Sequence, residues 1–347
     1  MTVQGVYLVG SVPMRDAEQV FREVGTTLGQ RLRWLPDGET GPRINWIAHL
    51  EPVFATQQAL VKSDEVFQLH PTAPKRQRYT LAPGKKIEDI AFPNLGYADA
   101  AIASYSVFKR LKAQGLIADG VKFQVDFAPA HSVLWLFLVD ALHRAADPIY
   151  NDAIKREIDR IAATVPHNEL AIQFDVASAV FARLQREESS PYGNDKAEMQ
   201  ETFNQILVGL GNHVPRDVDL LYHCCYGDSN HRHVVEPTDM GDMVEFANRL
   251  FTRIGRPVQL IHMPVPRNRK DDVYFEPLKR LRLPKQTTLA LGLVHCTDGM
   301  QGTRERLNIA MKYADNFFIA TECGLGRRDP DTIPALLDIH GQLVDVR

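Results

Sequence analysis

Two periodicities alternate along the chain. Short apolar runs rich in β-branched and aromatic residues end at Gly, Pro, Asp or His, and between them lie longer stretches in which apolar residues return every three or four positions. The first pattern is that of strands buried on both faces, the second that of amphipathic helices. The runs predict strands over residues 5–13, 31–35, 121–127, 170–176, 219–225, 258–263, 287–295 and 316–323. Helices are predicted over 16–28, 98–114, 151–164, 239–254, 302–313 and 331–343. Eight strands alternating with helices imply an α/β chain folded as a single (β/α)8 TIM barrel across residues 1–347. A doubly wound open sheet shares the alternation, but no G-x-G-x-x-G follows the first strand to favour it.

One stretch exceeds a minimal barrel. Residues 69–97 hold many prolines and a basic cluster, Pro74-Lys75-Arg76-Gln77-Arg78, followed by Lys85-Lys86. This is read as an insertion after the second strand that lies over the active face as a lid. Its charges are read as a solvated loop in preference to an anion site. The most apolar run, residues 133–139, meets Asp140 and His143 at once. It is too short to span a bilayer and reads as a buried helix face.

With 44% hydrophobic residues the chain can bury a large core, and a net charge of −3 provides no footprint for nucleic acid or an anionic membrane. A small-molecule partner is expected. Residues 1–10 lead straight into a strand-like run with no basic region or cleavage site, so a cytoplasmic protein is expected. Four cysteines are too few for a disulfide framework in a chain this long, which directs attention to metal chemistry.

The placement of those cysteines is informative. Cys224 and Cys225 close the fifth predicted strand, Cys296 follows the seventh and Cys323 closes the eighth. Carboxyl ends of barrel strands converge on one face, where such enzymes carry their chemistry. Side chains at i and i+2 of a strand point the same way, so His223 and Cys225 can share one ion while Cys224 faces the helices. His262, ending the sixth strand, and Cys323 would complete a four-ligand zinc (Zn2+) set. Each of these residues alone is as well explained as ordinary core; together they point to metal. Asp228, in the following loop, is a candidate acceptor orienting a ligand imidazole. His231 and His233, in the same loop, are read as solvated or capping residues.

At this point the chain resembles a known family. Leu8-Val9-Gly10-Ser11-Val12-Pro13 is similar to the I-G-S-F-P of cobalamin-independent methionine synthase, Asp37-Gly38-Glu39 to its H-G-E, and Ile172-Gln173-Phe174-Asp175 to its I-Q-I-D. His223-Cys224-Cys225-Tyr226 resembles its H-M-C-Y, and Glu322-Cys323-Gly324-Leu325-Gly326-Arg327-Arg328 its D-C-G-L-K-T-R. These segments occur in the family's order across nearly the whole chain.

The resemblance implies a zinc ion that holds a small-molecule thiol substrate as thiolate, the nucleophile in alkyl transfer, most naturally of methyl. It further implies that Glu39 and Asp175 hold a substrate amino group, each having an ordinary alternative as turn residue or helix cap. Backbone near Gly10 and Ser11 would receive the substrate carboxylate. Two departures matter. His262 stands where the family has a ligand glutamate. Thr297 stands where it has an acid histidine, leaving His295, two residues earlier, as candidate proton donor. The family's amino-terminal half, which helps bind methylfolate, has no counterpart, and no D-x-H-x-x-G cobalamin motif is present. The donor is therefore expected on a separate methyl-carrier protein or as another small molecule. Thiol addition to an epoxide or activated ether, zinc-dependent hydrolysis or lyase chemistry, and a non-catalytic zinc module stay open as alternatives.

Overall fold

All eight predicted strand segments form strands of one parallel sheet, and the order of those strands positions the site. The computed structural model describes residues 3–69, 71, 73–227 and 232–344. In chain order the strands are β1 (Val3–Val6), β2 (Trp34–Pro36), β3 (Leu60–Phe67), β4 (Arg76–Leu81), β5 (Lys122–Phe127), β6 (Leu170–Val176), β7 (Asp219–Cys224), β8 (Leu260–Pro264), β9 (Thr288–Val294) and β10 (Phe317–Thr321). Eight of them pair in the order β1-β10-β9-β8-β7-β6-β5-β2, every pair parallel. A parallel bridge between Val6 and Leu32 joins the two ends and completes the cylinder.

Inside the barrel the alternation of side chains produces layers. Tyr7, Trp34, Leu221, Leu260, Ala290 and Phe318 pack as an apolar plug, with the Trp34 indole N–H donating to Asp219 Oδ2 at 2.8 Å. Above it lies a polar layer. Gln173 Nε2 donates to Val9 O and to Asp175 Oδ1, both at 2.8 Å, and Gln124 Nε2 donates to Asp126 Oδ1 at 2.9 Å. Two glutamines thus hold two carboxylates one pleat higher, at the carboxyl ends of β5 and β6.

The helices are α1 (Ala17–Leu28), α2 (Glu51–Ala55), α3 (Tyr97–Ala113), α4 (Ala130–Phe137), α5 (His143–Ala162), α6 (Ser178–Arg186), α7 (Lys196–His213), α8 (Gly241–Arg253), α9 (Asp272–Phe275), α10 (Gly299–Ala310) and α11 (Ile333–Leu343). The run at 133–139 falls largely in α4, as expected of a buried helix face. Four helices, the short α2 and α9 and the longer α6 and α7, were not predicted. The buried face of α7 includes Gln200 and Asn204 beside Met199, Phe203 and Leu207, so its apolar stripe is broken. The excursion after β2 is also longer than expected. It begins at Gly41 with a 3-10 segment and includes the antiparallel hairpin β3–β4, where strand structure replaces the expected loop. Arg78, from the basic cluster, is buried and pairs with Glu65 and Asp140 instead of being solvated. Among the described residues no helix is long and apolar enough to cross a membrane.

Candidate metal centre and adjoining cavity

The register of three neighbouring strands sets the geometry. Asp175 of β6 pairs with His223 of β7, which pairs with His262 of β8, so three inward-facing polar side chains stand in one row. Cys225 follows β7 directly, and its N–H remains bonded to Val176 O at 2.9 Å. Cys323 lies two residues past β10, where Thr321 Oγ1 donates to its carbonyl at 2.8 Å. These positions bring the two sulfurs to 3.5 Å from each other and place Cys323 Sγ 4.0 Å from His223 Nε2. His223, Cys225 and Cys323 offer ligand atoms that all lie within 4.8 Å of one another. No disulfide joins any of the four cysteines. Cys224 is fully buried on the opposite face of β7, and burial pushes its thiol well up.

The proton positions follow from one carbonyl. His262 Nε2 lies 3.1 Å from Thr321 O, which can only accept, so that nitrogen carries the proton. Burial holds His262 down at about 3, hence neutral, so its Nδ1 is an acceptor. That Nδ1 is 2.7 Å from His223 Nδ1, which must then be the donor. Burial, and after it the neighbouring His262, also keeps His223 neutral. The remaining nitrogen of His223, Nε2, presents a bare lone pair to the sulfurs. His262 was expected as a fourth ligand; instead both its ring nitrogens are engaged, and it stands behind His223 as the group that orients it.

Two sulfurs and one imidazole nitrogen suit zinc. Tetrahedral bonds of ~2.3 Å to sulfur would separate two sulfurs by about 3.8 Å, close to the spacing found. Gly227 N–H donates to Cys225 Sγ at 3.2 Å and Arg327 Nη2 donates to Cys323 Sγ at 3.3 Å, so both sulfurs face hydrogen-bond donors suited to thiolates.

The group opens on a cavity of about 800 Å³. Its deep end holds Glu39 and Asp175 beside Cys225, Cys323 and Arg327; its mouth is lined by Phe67, Leu69 and Arg76 of the excursion and by Trp135 and Leu136 of α4. The hairpin of the insertion therefore contributes to the lining of this cavity. Burial raises Glu39 to about 8, reinforced by Asp175, and burial raises Asp175 to about 7 against the hydrogen bonds from Gln173 and from the Trp46 indole. Asp126 is raised as well, by burial and then by Glu39 and Asp175. Burial and mutual repulsion thus favour protons on these carboxyls, and a nearby cation would favour their ionised forms.

Gly10 leaves the space that Asp126 and Glu39 occupy. A Cβ there would fall 2.7 Å from Asp126 Oδ2 and 3.5 Å from Glu39 Oε2. Ser11 braces the loop that bears Cys323, since its hydroxyl accepts from Gly326 N at 3.2 Å and its carbonyl from Leu325 N at 2.7 Å. His295 is not in this cavity. Its Nε2 donates to Val265 O at 2.8 Å and its ring faces a separate small cavity with His233 and Glu322, so it is not placed to protonate a group at the sulfurs. His233, expected to be solvated, is instead held between Glu236 and Glu322. Asp228 and His231 lie outside the described residues. Sequence reasoning did not single out Asp126, Trp46 or Arg327. Arg327 was visible within the quoted motif and Asp126 as an acid ending a predicted strand, whereas Trp46, with φ of +55°, left no local signal.

No protein-family model matches the sequence, and no curated protein does either. Solved structures do. A B12-independent methionine synthase from Shewanella sp. W3-18-1, in complex with selenomethionine, superposes with a TM-score of 0.59 at 12% identity, covering 98% of this chain and 96% of that one. The fold is that of the B12-independent methionine synthase barrel. A methyltransferase from Methanosarcina mazei superposes with a TM-score of 0.53 at 11% identity over 99% of this chain and 94% of its own. Both neighbours are matched almost end to end.

Proposed function

We propose that the protein is a zinc-dependent enzyme that transfers a methyl group to or from a small-molecule thiol bearing an amino group. The convergence of the His223 Nε2 lone pair with Cys225 and Cys323, at a cavity that also holds the carboxyls of Glu39 and Asp175, carries this reading. Zinc, when bound by His223, Cys225 and Cys323, would supply the Lewis acidity that keeps a substrate thiol deprotonated and nucleophilic. With two thiolates and one neutral imidazole, the protein's charge would cancel that of the ion.

The chain's own residues would do the rest. His262 fixes the tautomer and tilt of His223. Arg327, against Cys323, keeps positive charge beside the reacting end. Glu39 and Asp175 accept the amino group and give up protons as it enters, and Trp46 locks Asp175 in place. The likeness to a methionine synthase holding selenomethionine and to a methyltransferase supports the same reading, and the aromatic mouth of the cavity leaves room for a methyl donor. The donor is proposed to be a separate carrier protein or a small molecule.

Metal analysis followed by cobalt substitution tests the reading. One equivalent of metal per chain is expected, with an absorption band that shifts when an amino-thiol such as homocysteine is added. A site that responds to water-displacing anions but to no thiol would transfer the assignment to hydrolysis, and a site that responds to neither would leave a non-catalytic metal module.

A further inference from the structure

The turn that delivers Glu39 to the cavity is strained. Among the described residues only four other than glycine have a positive φ, and two of them, Glu39 at +46° and Trp46 at +55°, belong to the carboxyl end of the cavity. Glu39 follows Gly38, at +79°, so the chain passes through two left-handed residues in succession. Gly38 is fixed there, because its carbonyl accepts from Val12 N at 2.8 Å and a Cβ on it would fall 2.7 Å from Val20 Cγ2 of α1. For a residue that bears a side chain the left-handed conformation is costly, and it persists only where the surroundings impose it.

Here Asp37 imposes it. Its Oδ1 accepts from Glu39 N at 2.9 Å, closing a turn over Gly38. Its Oδ2 accepts from Arg43 Nη2 at 2.6 Å and from Ser104 Oγ of α3 at 2.7 Å, so this buried carboxylate is anchored by two other elements of the chain. Asp37 does not line the large cavity. It stands behind Glu39, on a small space of about 10 Å³ in which Arg43 is the one lining cation and Asp126 is a neighbour. Were φ of Glu39 to return to the negative range, its side chain would swing away from Asp126 and Asp175.

We infer that Asp37 is a positioning residue for the amino-binding end of the cavity: pinned by Arg43 and Ser104, it holds Glu39 in the left-handed turn that aims its carboxyl into the site, and so sets the preference for an amino-bearing thiol over one without the amino group. This rests on the reading of Glu39 as an acceptor of the substrate amino group. Asp37 acts only through Glu39 and touches no substrate.

Calorimetric titration of the full-length, zinc-supplemented protein with homocysteine, and with its analogue lacking the amino group, tests it. Asp37→Ala should weaken homocysteine about tenfold or more, as Glu39→Gln does, and leave the analogue and the metal content unchanged. Asp37→Asn keeps an oxygen for Glu39 N–H but loses the ion pair with Arg43, and a loss of several-fold is expected. The Asp37→Ala/Glu39→Gln double variant should bind homocysteine no more weakly than Glu39→Gln alone, whereas a residue that merely stabilises the fold would add its own loss. Thermal melting confirms that each variant is folded; if Asp37→Ala is not, the same comparison is made with Asp37→Asn. Unchanged homocysteine affinity in the folded Asp37 variants, or additive losses, overturns the inference and leaves Glu39 its role. Unchanged affinity in Glu39→Gln removes the reading beneath it, and the inference with it.

Discussion

Replacing His262 by Phe separates a ligand from the residue that orients one. Phe fills similar space but cannot accept a hydrogen bond, so His223 Nδ1–H, now 2.7 Å from His262 Nδ1, would be stranded in a site with no access to water. Leaving a buried donor unsatisfied costs roughly 1–3 kcal/mol. His223 can escape that cost by moving its proton to Nε2, which is the nitrogen a metal needs bare. Either way, metal binding bears the loss, and a weakening of about 10–100-fold follows, equivalent to roughly 1.4–2.7 kcal/mol. The assay is competition for zinc against a chromophoric chelator, with His223→Ala and Cys323→Ala alongside. Both of those should lose close to a full equivalent, because each removes a donor atom. His262→Phe should retain stoichiometric zinc at high metal and release it more readily. If His262→Phe is as empty as Cys323→Ala, His262 is itself a ligand and the hydrogen-bond chain from Thr321 does not set its protons; if its affinity is unchanged, the chain has no bearing on the metal.

Four further outcomes are expected. Cys224→Ala, on the opposite face of β7, should keep a full equivalent of zinc and cost about 1 kcal/mol of stability in denaturant unfolding, and metal loss there would mean that the alternation of β7 is wrong. Gly10→Ala drives a methyl group against Asp126 and should abolish binding of an amino-thiol while zinc content is retained; equal loss of both would argue against two separable ends of the cavity. Glu39→Gln should weaken an amino-bearing thiol about tenfold or more but spare a simple alkyl thiol in the cobalt-band titration, and equal effects on the two would remove its amino-holding role. The carboxyl cage should also give the metal-free protein a distinctive pH dependence. Folding raises Glu39 to about 8 and Asp175 to about 7, so their contribution is full below the ordinary carboxyl range and is lost as pH rises through 7 to 8. Unfolding free energy should fall by roughly 2–5 kcal/mol between pH 5 and pH 8.5, with a shallower fall in Asp126→Asn; a rise over that interval would contradict the cage.

The strands were legible because each is buried on both faces and ends at a residue that stops it. Their carboxyl ends bring His223, Cys225 and Cys323 together, since a barrel has one face on which such ends can meet. What could not be read was direction within a row. His262 is in register with His223, yet whether its nitrogens face the sulfurs or a carbonyl of β10 depends on an inter-strand hydrogen bond that no local pattern encodes. Asp126 was hidden for a related reason: an acid at the end of a buried strand attracts notice only when its neighbours across the barrel are known to be acids too. His295 was assigned a role by analogy with a motif that this chain does not carry, and the side chain points to the other side of Glu322. The hairpin β3–β4 was obscured by the prolines and charges around it, which resemble those of a loop.

The ladder that positions His223, Cys225 and Cys323 is built from strand pairing and hydrogen bonds of the chain itself. His223 is within a hydrogen-bonded strand, Cys225 is still tied to Val176, and Cys323 is anchored through Thr321. In small zinc domains the ion organises the chain around itself and its removal unravels the fold. Here a chelator should strip the centre from a protein that keeps its shape, and the emptied pocket should accept cobalt or cadmium on simple addition, at a rate governed by passage through the mouth instead of by refolding.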